Sequence, residues 1–309
     1  MYWYFNNSFN IYYPFDYFII IIWVIVIIDE IYERLVTIMV VVKVKSKDNN
    51  FQHIDVLKRN REKRTKNKEF FVEGVKSINS MVDENWEINS LVYTTENSLS
   101  DWAKDILRRA NAKNHIELPA VLMKELSDKE EASELLAVVS MPKDELSRIK
   151  VHEKLLVVVF DRPSSLGNLG TIIRTCDSFK ADGLIITGHG VDLYDPQTIR
   201  ASVGSLFTVP VIRMPSHKEI IPWFSKIKQS YENFSIVGSD EKAKIDIVKH
   251  DFTTPTAFIL GNETDGMSRS YRELCDKTIN IPIYGSATSL NVACAASILL
   301  YEIDRQRRM

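Results

Sequence analysis

The chain has 309 residues, 45% apolar and 26% charged, without repeats or biased composition, which is ordinary for a soluble globular protein of about two domains. A net charge of −2 excludes a uniformly basic nucleic-acid binder. Cys176, Cys275 and Cys294 form no C-x-x-C pair and the six histidines lack ligand spacing, so no disulfide framework and no metal is expected, in a reducing, cytoplasmic setting.

Residues 1–42 differ from the rest. The first 15 residues carry no charge and are crowded with Tyr, Phe and Asn. The run YFIIIIWVIVII at 17–28 is wholly apolar between Asp16 and Asp29. A membrane helix needs about 20 such residues, and no basic residue precedes Arg34 as a signal peptide would require. Three readings stay open: a membrane anchor through 17–28, a buried or dimer-forming hairpin, or an over-called start with Met39 as the natural initiator.

From residue 40 the pattern changes. Val40, Val42 and Val44 alternate with Val41, Lys43 and Lys45, as in a strand. Ten Lys/Arg between 43 and 68 then face only Asp48, Asp55 and Glu62. That excess suits several phosphates, and Lys58, Arg59, Arg61, Lys63 and Arg64 are the candidate contacts; the same run also fits a solvated helix face. Residues 50–68 read as helical, 70–72 as a short strand running into a helix, and 91–95 as a strand. Helical text follows at 100–112, 121–127 and 131–136. This predicts a compact α/β domain at 43–145, with the charged stretch 141–150 as a linker.

From residue 154 the pattern is regular. Apolar strand-length runs at 155–160, 184–187, 209–214, 234–238, 257–262 and 280–284 alternate with helical text at 168–179, 197–207, 217–229 and 269–275. A long helix closes the chain from about 289 to 307. Such alternation predicts a mainly parallel sheet covered on both faces, whose ligands bind beyond the carboxyl ends of the strands.

Three loops follow predicted strands: DRPSSLGNLG at 161–170 with Arg174 beyond it, LGNETDGM at 260–267, and IPIYGSATSLNVA at 281–293. Glycine at such turns lets main chain approach a ligand closely. Ser289 and Asn291 stand at a helix start, where Ser and Asn are ordinary N-caps. Taken singly, the first loop is weak, and it lacks the G-x-G-x-x-G of a dinucleotide fold. Together, in this order and spacing, the loops read N-L-G-T-I-I-R, L-G-N-E-x-x-G-M and I-P-I-x-G-x-x-x-S-L-N-V-A. They resemble motifs 1, 2 and 3 of the SpoU (TrmH-type) family of RNA 2′-O-ribose methyltransferases, in the SPOUT superfamily. RASVGSLF at 200–207 matches the family's small-residue helix between motifs. The resemblance covers 155–309 strongly and continues more weakly through FQHIDVLKRNREKR and FFVEGVKSIN; it does not cover 1–42.

The resemblance implies an α/β fold: a SPOUT-type parallel sheet with a deep trefoil knot at 151–309, preceded by a smaller α/β (L30e-like) substrate-binding domain. It implies S-adenosylmethionine as cofactor, held largely by main chain at Gly261, Ile281 and Leu290, with Thr187 and Gly188 nearby. RNA, ribosomal or transfer, is the implied substrate, for which Lys58, Arg59, Arg61, Lys63 and Arg64 are candidate contacts. The active site is implied to form across a homodimer. By motif position Arg174, Asn168, Glu263, Ser289 and Asn291 are the catalytic candidates.

Methyl transfer from a sulfonium is an in-line displacement that leaves charge on the attacking oxygen. Arginine, with a pKa above about 12, is an awkward general base. Arg174 is therefore expected to stabilise the developing alkoxide and clamp a phosphate, oriented by Glu263 through a charge-assisted pair; proton abstraction by Arg174 stays open. Two other functions compete. A non-catalytic RNA-binding protein could lack Arg174, Glu263 or Asn291, and all three are present. A SPOUT-type RNA base methyltransferase is the nearer rival, against which the N-L-G-x-x-x-R and S-L-N patterns favour ribose.

Overall fold

The structure, a computed structural model, describes residues 40–309. The readings of 1–38, including the apolar run 17–28, lie outside the described residues. Among the described residues no helix is long and apolar enough to cross a membrane.

The N-terminal α/β part runs β1 (Val40–Lys43), α1 (Asn49–Arg59), α2 (Arg61–Asn67), β2 (Glu69–Glu73), α3 (Val75–Asp83), β3 (Ile88–Tyr93), α4 (Asp101–Arg109), β4 (Ala112–Glu117), α5 (Ala120–Leu126) and β5 (Leu135–Ser140). Its sheet has the order β1-β4-β3-β5-β2. β3 and β4 are parallel, and β5 is antiparallel to both its neighbours. The helical stretch expected over 50–68 is two helices. Asn60, extended at φ −124°, ends α1 and caps α2 by accepting a bond from the Lys63 amide. Residues 131–136 are not helical: they lead into β5, a central strand buried along Leu135–Val139. A strand buried on both faces loses its period-2 alternation, and Glu, Leu and Ala there imitate a helix. β4, rich in polar residues, carried no strand signal.

The second part contains β6 (Leu156–Asp161), α6 (Leu166–Ser178), β7 (Gly183–Thr187), α7 (Pro196–Ser202), β8 (Val211–Met214), α8 (Ile221–Ser230), β9 (Ser235–Ser239), β10 (Ile245–Asp246), β11 (Thr256–Leu260), α9 (Arg269–Leu274), β12 (Lys277–Asn280) and α10 (Val292–Arg307). Its seven strands lie in the order β10-β12-β9-β11-β6-β7-β8. Every pairing is parallel. β6 shows why the pattern read as a continuous apolar run. Leu156, Val158 and Phe160 face the core under α6, α7 and α10, while Leu155, Val157 and Val159 face the core under α8 and α9.

The core under α6 and α7 does not stop at the sheet. Phe70, Val72 and Leu91 of the N-terminal part belong to the same buried cluster as Leu169, Tyr194 and Phe207. Phe70 lies 4.5 Å from the Tyr194 ring, and the Trp86 indole NH donates to the Phe207 carbonyl at 2.8 Å. The helix expected over 197–207 ends at Ser202 because the chain must turn here: Val203 and Gly204 take φ of 55° and 97°. A Cβ on Gly204 would come within 2.6 Å of the Ser80 hydroxyl on α3, so this position needs glycine both for its backbone and for the close approach. The stretch 141–150 is docked rather than loose, with Asp144 accepting from the Arg213 amide and guanidinium at 2.8–3.0 Å.

Candidate active site

The carboxyl ends of β9, β11 and β12 lie side by side, and the loops leaving them enclose a cavity of about 540 Å³. Gly261, Ile281 and Leu290 line it, as do Asn168, Glu263, Ser289 and Asn291. Seven of the ten cofactor and catalytic candidates, drawn from three motifs of which the outermost bonded residues are 123 positions apart, thus meet at one edge of the sheet. The 262–267 loop folds back so tightly that a Cβ on Gly261 would sit 2.2 Å from the Met267 nitrogen. Asn262 and Gly266 close it with two backbone bonds of 3.0 Å.

Glu263 is the hub. One carboxylate oxygen accepts from the Ser164 amide and hydroxyl at 2.9 and 2.7 Å, and the other from the Ser165 amide at 3.1 Å and Asn168 Nδ2 at 3.3 Å. Burial pushes this carboxyl up, but the Ser164 donors and Asn168 outweigh it and hold it below its ordinary value. Asn168 Oδ1 in turn accepts from Asn291 Nδ2 at 3.1 Å, and Asn291 Oδ1 caps α10 by accepting from the Ala293 and Cys294 amides. A continuous polar chain therefore links all three motif loops. Capping and site geometry are one arrangement at Asn291; Ser289 lies on the exposed rim and caps nothing.

Three candidates are elsewhere. Thr187 is 1% exposed, with its hydroxyl taken by Tyr271 Oη at 2.9 Å, and Gly188 packs on the Arg162 side chain; neither lines the cavity. The reason is sheet order, since β7 is separated from β11 by β6. Arg174 is exposed on α6 and makes no hydrogen bond through its side chain among the described residues. The expected Arg174–Glu263 pair is absent because serine and asparagine donors already fill the Glu263 oxygens.

The basic candidates divide. Arg64 is 2% exposed, bonded to Asp192 at 2.7 Å, to Asp195 at 3.2 Å and to the Leu57 and Lys58 carbonyls. Its assignment as an RNA contact is corrected: it is an internal tie between the two parts of the chain. Lys58 pairs with Asp128 at 2.6 Å, Arg59 with Asp55 at 2.8 Å, and Arg61 donates to the Gly190 carbonyl at 2.9 Å. Lys63 is exposed without a side-chain partner among the described residues.

Sequence reasoning missed Ser239, Asp240, Glu241 and Lys242, which line the cavity from the end of β9, and Arg272 on α9. The strand at 234–238 was legible, but its neighbours in the sheet were not, and adjacency to β11 and β12 is what brings its loop to the site. Among the described residues no cluster of His, Cys, Asp or Glu is placed to hold a metal ion.

Known proteins resemble this chain over both of its parts. Residues 155–301 match the SpoU rRNA Methylase family, and 48–137 match the SpoU L30e-like domain. A 23S rRNA (uridine(2479)-2′-O)-methyltransferase of Streptomyces viridochromogenes is 45% identical over 266 residues, covering 86% of this chain and 92% of that one. The chain belongs to the SpoU rRNA methylase family. The crystal structure of the SpoU methyltransferase AviRb from the same organism, in complex with AdoMet, is similar with a TM-score of 0.81 at 44% identity, covering 84% of this chain and 98% of that one. An AdoMet-bound rRNA methyltransferase from Sinorhizobium meliloti is similar with a TM-score of 0.75 at 26% identity, covering 86% and 98%. In this SpoU family chain the polar chain from Ser164 to Asn291 is what the three separate motifs jointly build.

Proposed function

We propose that the protein transfers a methyl group from S-adenosylmethionine to a ribose 2′-hydroxyl of ribosomal RNA. The observation that carries this reading is the meeting of all three motif loops around one cavity, in a chain 45% identical to an rRNA 2′-O-methyltransferase. The lining fits the cofactor. Leu260, Ile281, Ile283 and Leu290 offer apolar surface to the adenine and thioether chain. When bound, S-adenosylmethionine supplies an electrophilic methyl group.

The chain's own residues do the rest. Glu263, held ionised by Ser164 and Asn168, fixes Asn168, and Asn168 with Asn291 presents a rigid polar edge to the incoming ribose. Arg174 lies outside this edge, on an exposed α6 stripe with Gly167, Thr171 and Ser178. Beside it α10 exposes Ile298 and Tyr301, at 42% and 53%. That apolar face supports a homodimer in which Arg174 serves the partner's cavity, stabilising the alkoxide and clamping a phosphate. The trefoil knot belongs to the same proposal: β12 inserts between β9 and β10, and α10 returns against α6. Arg59, Arg61 and Lys63 remain the RNA contacts from the basic run, without Lys58, whose side chain is 10% exposed and held by Asp128, and an rRNA substrate sets the enzyme in the cytoplasm. Mapping 2′-O-methyl groups in total RNA with and without the gene tests the reading. One ribosomal ribose should lose its methyl group; an unchanged map, or loss of a base methyl group, sinks it.

A further inference from the structure

The loop at 262–267, one wall of the cavity, is gripped from two sides by an arginine that is itself held by an aspartate at a strand end. On the β6 side Arg162 forks onto Asp161 at 3.2 and 3.1 Å, reaches the Gly266 carbonyl at 3.4 Å and faces the Asp265 carboxylate at 3.7 Å. Asp161 is 3% exposed and also accepts from the Ser268 amide at 3.0 Å, just beyond the loop. The Arg162 carbonyl accepts from Asn262 Nδ2 at 2.6 Å, with its backbone at φ 49°. That left-handed conformation is uncommon for a residue with a side chain. On the β9 side Arg272 donates through Nε to the Met267 carbonyl at 3.1 Å and pairs through Nη1 with Asp240 at 2.9 Å. Successive carbonyls, Gly266 and Met267, are thus bonded by arginines from opposite sides.

We propose that Arg162 and Arg272 are positioning residues for the cofactor, two arginine–aspartate braces that set the shape of the 262–267 loop. Glu263 anchors the first half of this loop to Ser164, Ser165 and Asn168. The returning half has its own closing bonds to Asn262 and the two braces. Charge-assisted bonds from a planar fork fix direction as well as distance, so the braces decide where the loop's main-chain groups face the cavity. Neither arginine donates to the reacting oxygen; each acts through the loop. The inference rests on the reading of this cavity as the S-adenosylmethionine site.

The test is calorimetric titration of S-adenosylmethionine into the full chain and into two variants. Arg162→Gly removes the fork but accepts the left-handed backbone and keeps the carbonyl that Asn262 bonds. Arg272→Lys keeps a charge for Asp240 but loses the Nε bond to Met267. Each variant should bind the cofactor about tenfold more weakly, the scale of one charge-assisted hydrogen bond. At saturating cofactor the KM for RNA should stay at its wild-type value. A general weakening of the fold would move both quantities together, and that outcome overturns the proposal. Wild-type cofactor affinity in both variants also overturns it. A wild-type protein that binds no S-adenosylmethionine overturns the cofactor reading itself, and the braces with it.

Discussion

At the scale of single residues, Glu263 decides whether the motif loops stay together. It bonds to four donors from motif 1, so its charge holds residues that lie about 100 positions away in the chain. Its folded pKa lies below the ordinary 4.5. The sign follows: the unfolded chain takes up the proton first as pH falls. The stabilisation is therefore complete above 4.5 and is lost as pH drops through the lower folded value. Glu263→Gln should accordingly lower the thermal midpoint and weaken cofactor binding at neutral pH. The gap between variant and wild type should close as pH falls through that lowered folded value, below 4.5. Thermal scans from pH 3 to 8 check this, and a gap of the same size at both ends would mean that the charge is not what matters.

At the scale of elements, the basic helices α1 and α2 divide their cations between two tasks. Arg64 is spent internally, and Asp192, 8% exposed, depends on it. Arg64→Ala would strand that carboxylate and two carbonyls, a loss of about 3–5 kcal/mol of stability, measurable as a lowered denaturant midpoint. Lysine should rescue poorly, because one ammonium cannot replace a guanidinium that makes four hydrogen bonds. A midpoint within error of wild type would show the buried network to be dispensable. Lys63→Gln should leave stability alone and reduce the salt dependence of RNA binding by about 0.7–0.9 log units for each phosphate no longer neutralised. An unchanged slope returns Lys63 to a solvated face. None of this division was legible in the sequence. A run of lysines and arginines reads the same whether its partners are phosphates or an aspartate 128 residues away. The same holds for β5, where burial on both faces erased the alternation that marks a strand. The motif loops were legible because each carries its residue types and spacing locally. Asp240 and Arg272 were not, since only the folded sheet brings them to the cavity.

At the scale of the whole molecule, the site as folded in one chain has a cavity and a polar edge, and Arg272, the one arginine lining it among the described residues, is tied to Asp240 and the Met267 carbonyl. Arg174 is exposed on α6, and α10, which packs against α6, exposes Ile298 and Tyr301. An exposed arginine on a helix is commonly a solvated charge, and its loss then costs roughly 0–1 kcal/mol of stability and nothing in turnover. The dimer reading predicts otherwise, and it predicts where the arginine acts. Arg174→Ala should fold, bind S-adenosylmethionine normally and lose about 100-fold or more in methyl transfer, as when a preorganised charge-stabilising group is removed. Asn168→Ala should be similarly inactive, because it breaks the polar edge within its own subunit. Mixing the two inactive variants in equal amounts with subunit exchange then separates the alternatives. If Arg174 acts across the dimer, each mixed dimer has one site with both defects and one with neither. Activity should return to about a quarter of the wild-type value, since half of the dimers are mixed and half of their sites are intact. If Arg174 serves its own subunit, every site in every dimer keeps one defect and no activity returns. Single-turnover methylation of the mixture, beside sedimentation to establish the dimer, makes the distinction; recovery without a dimer, or a dimer without recovery, would remove Arg174 from the partner's site.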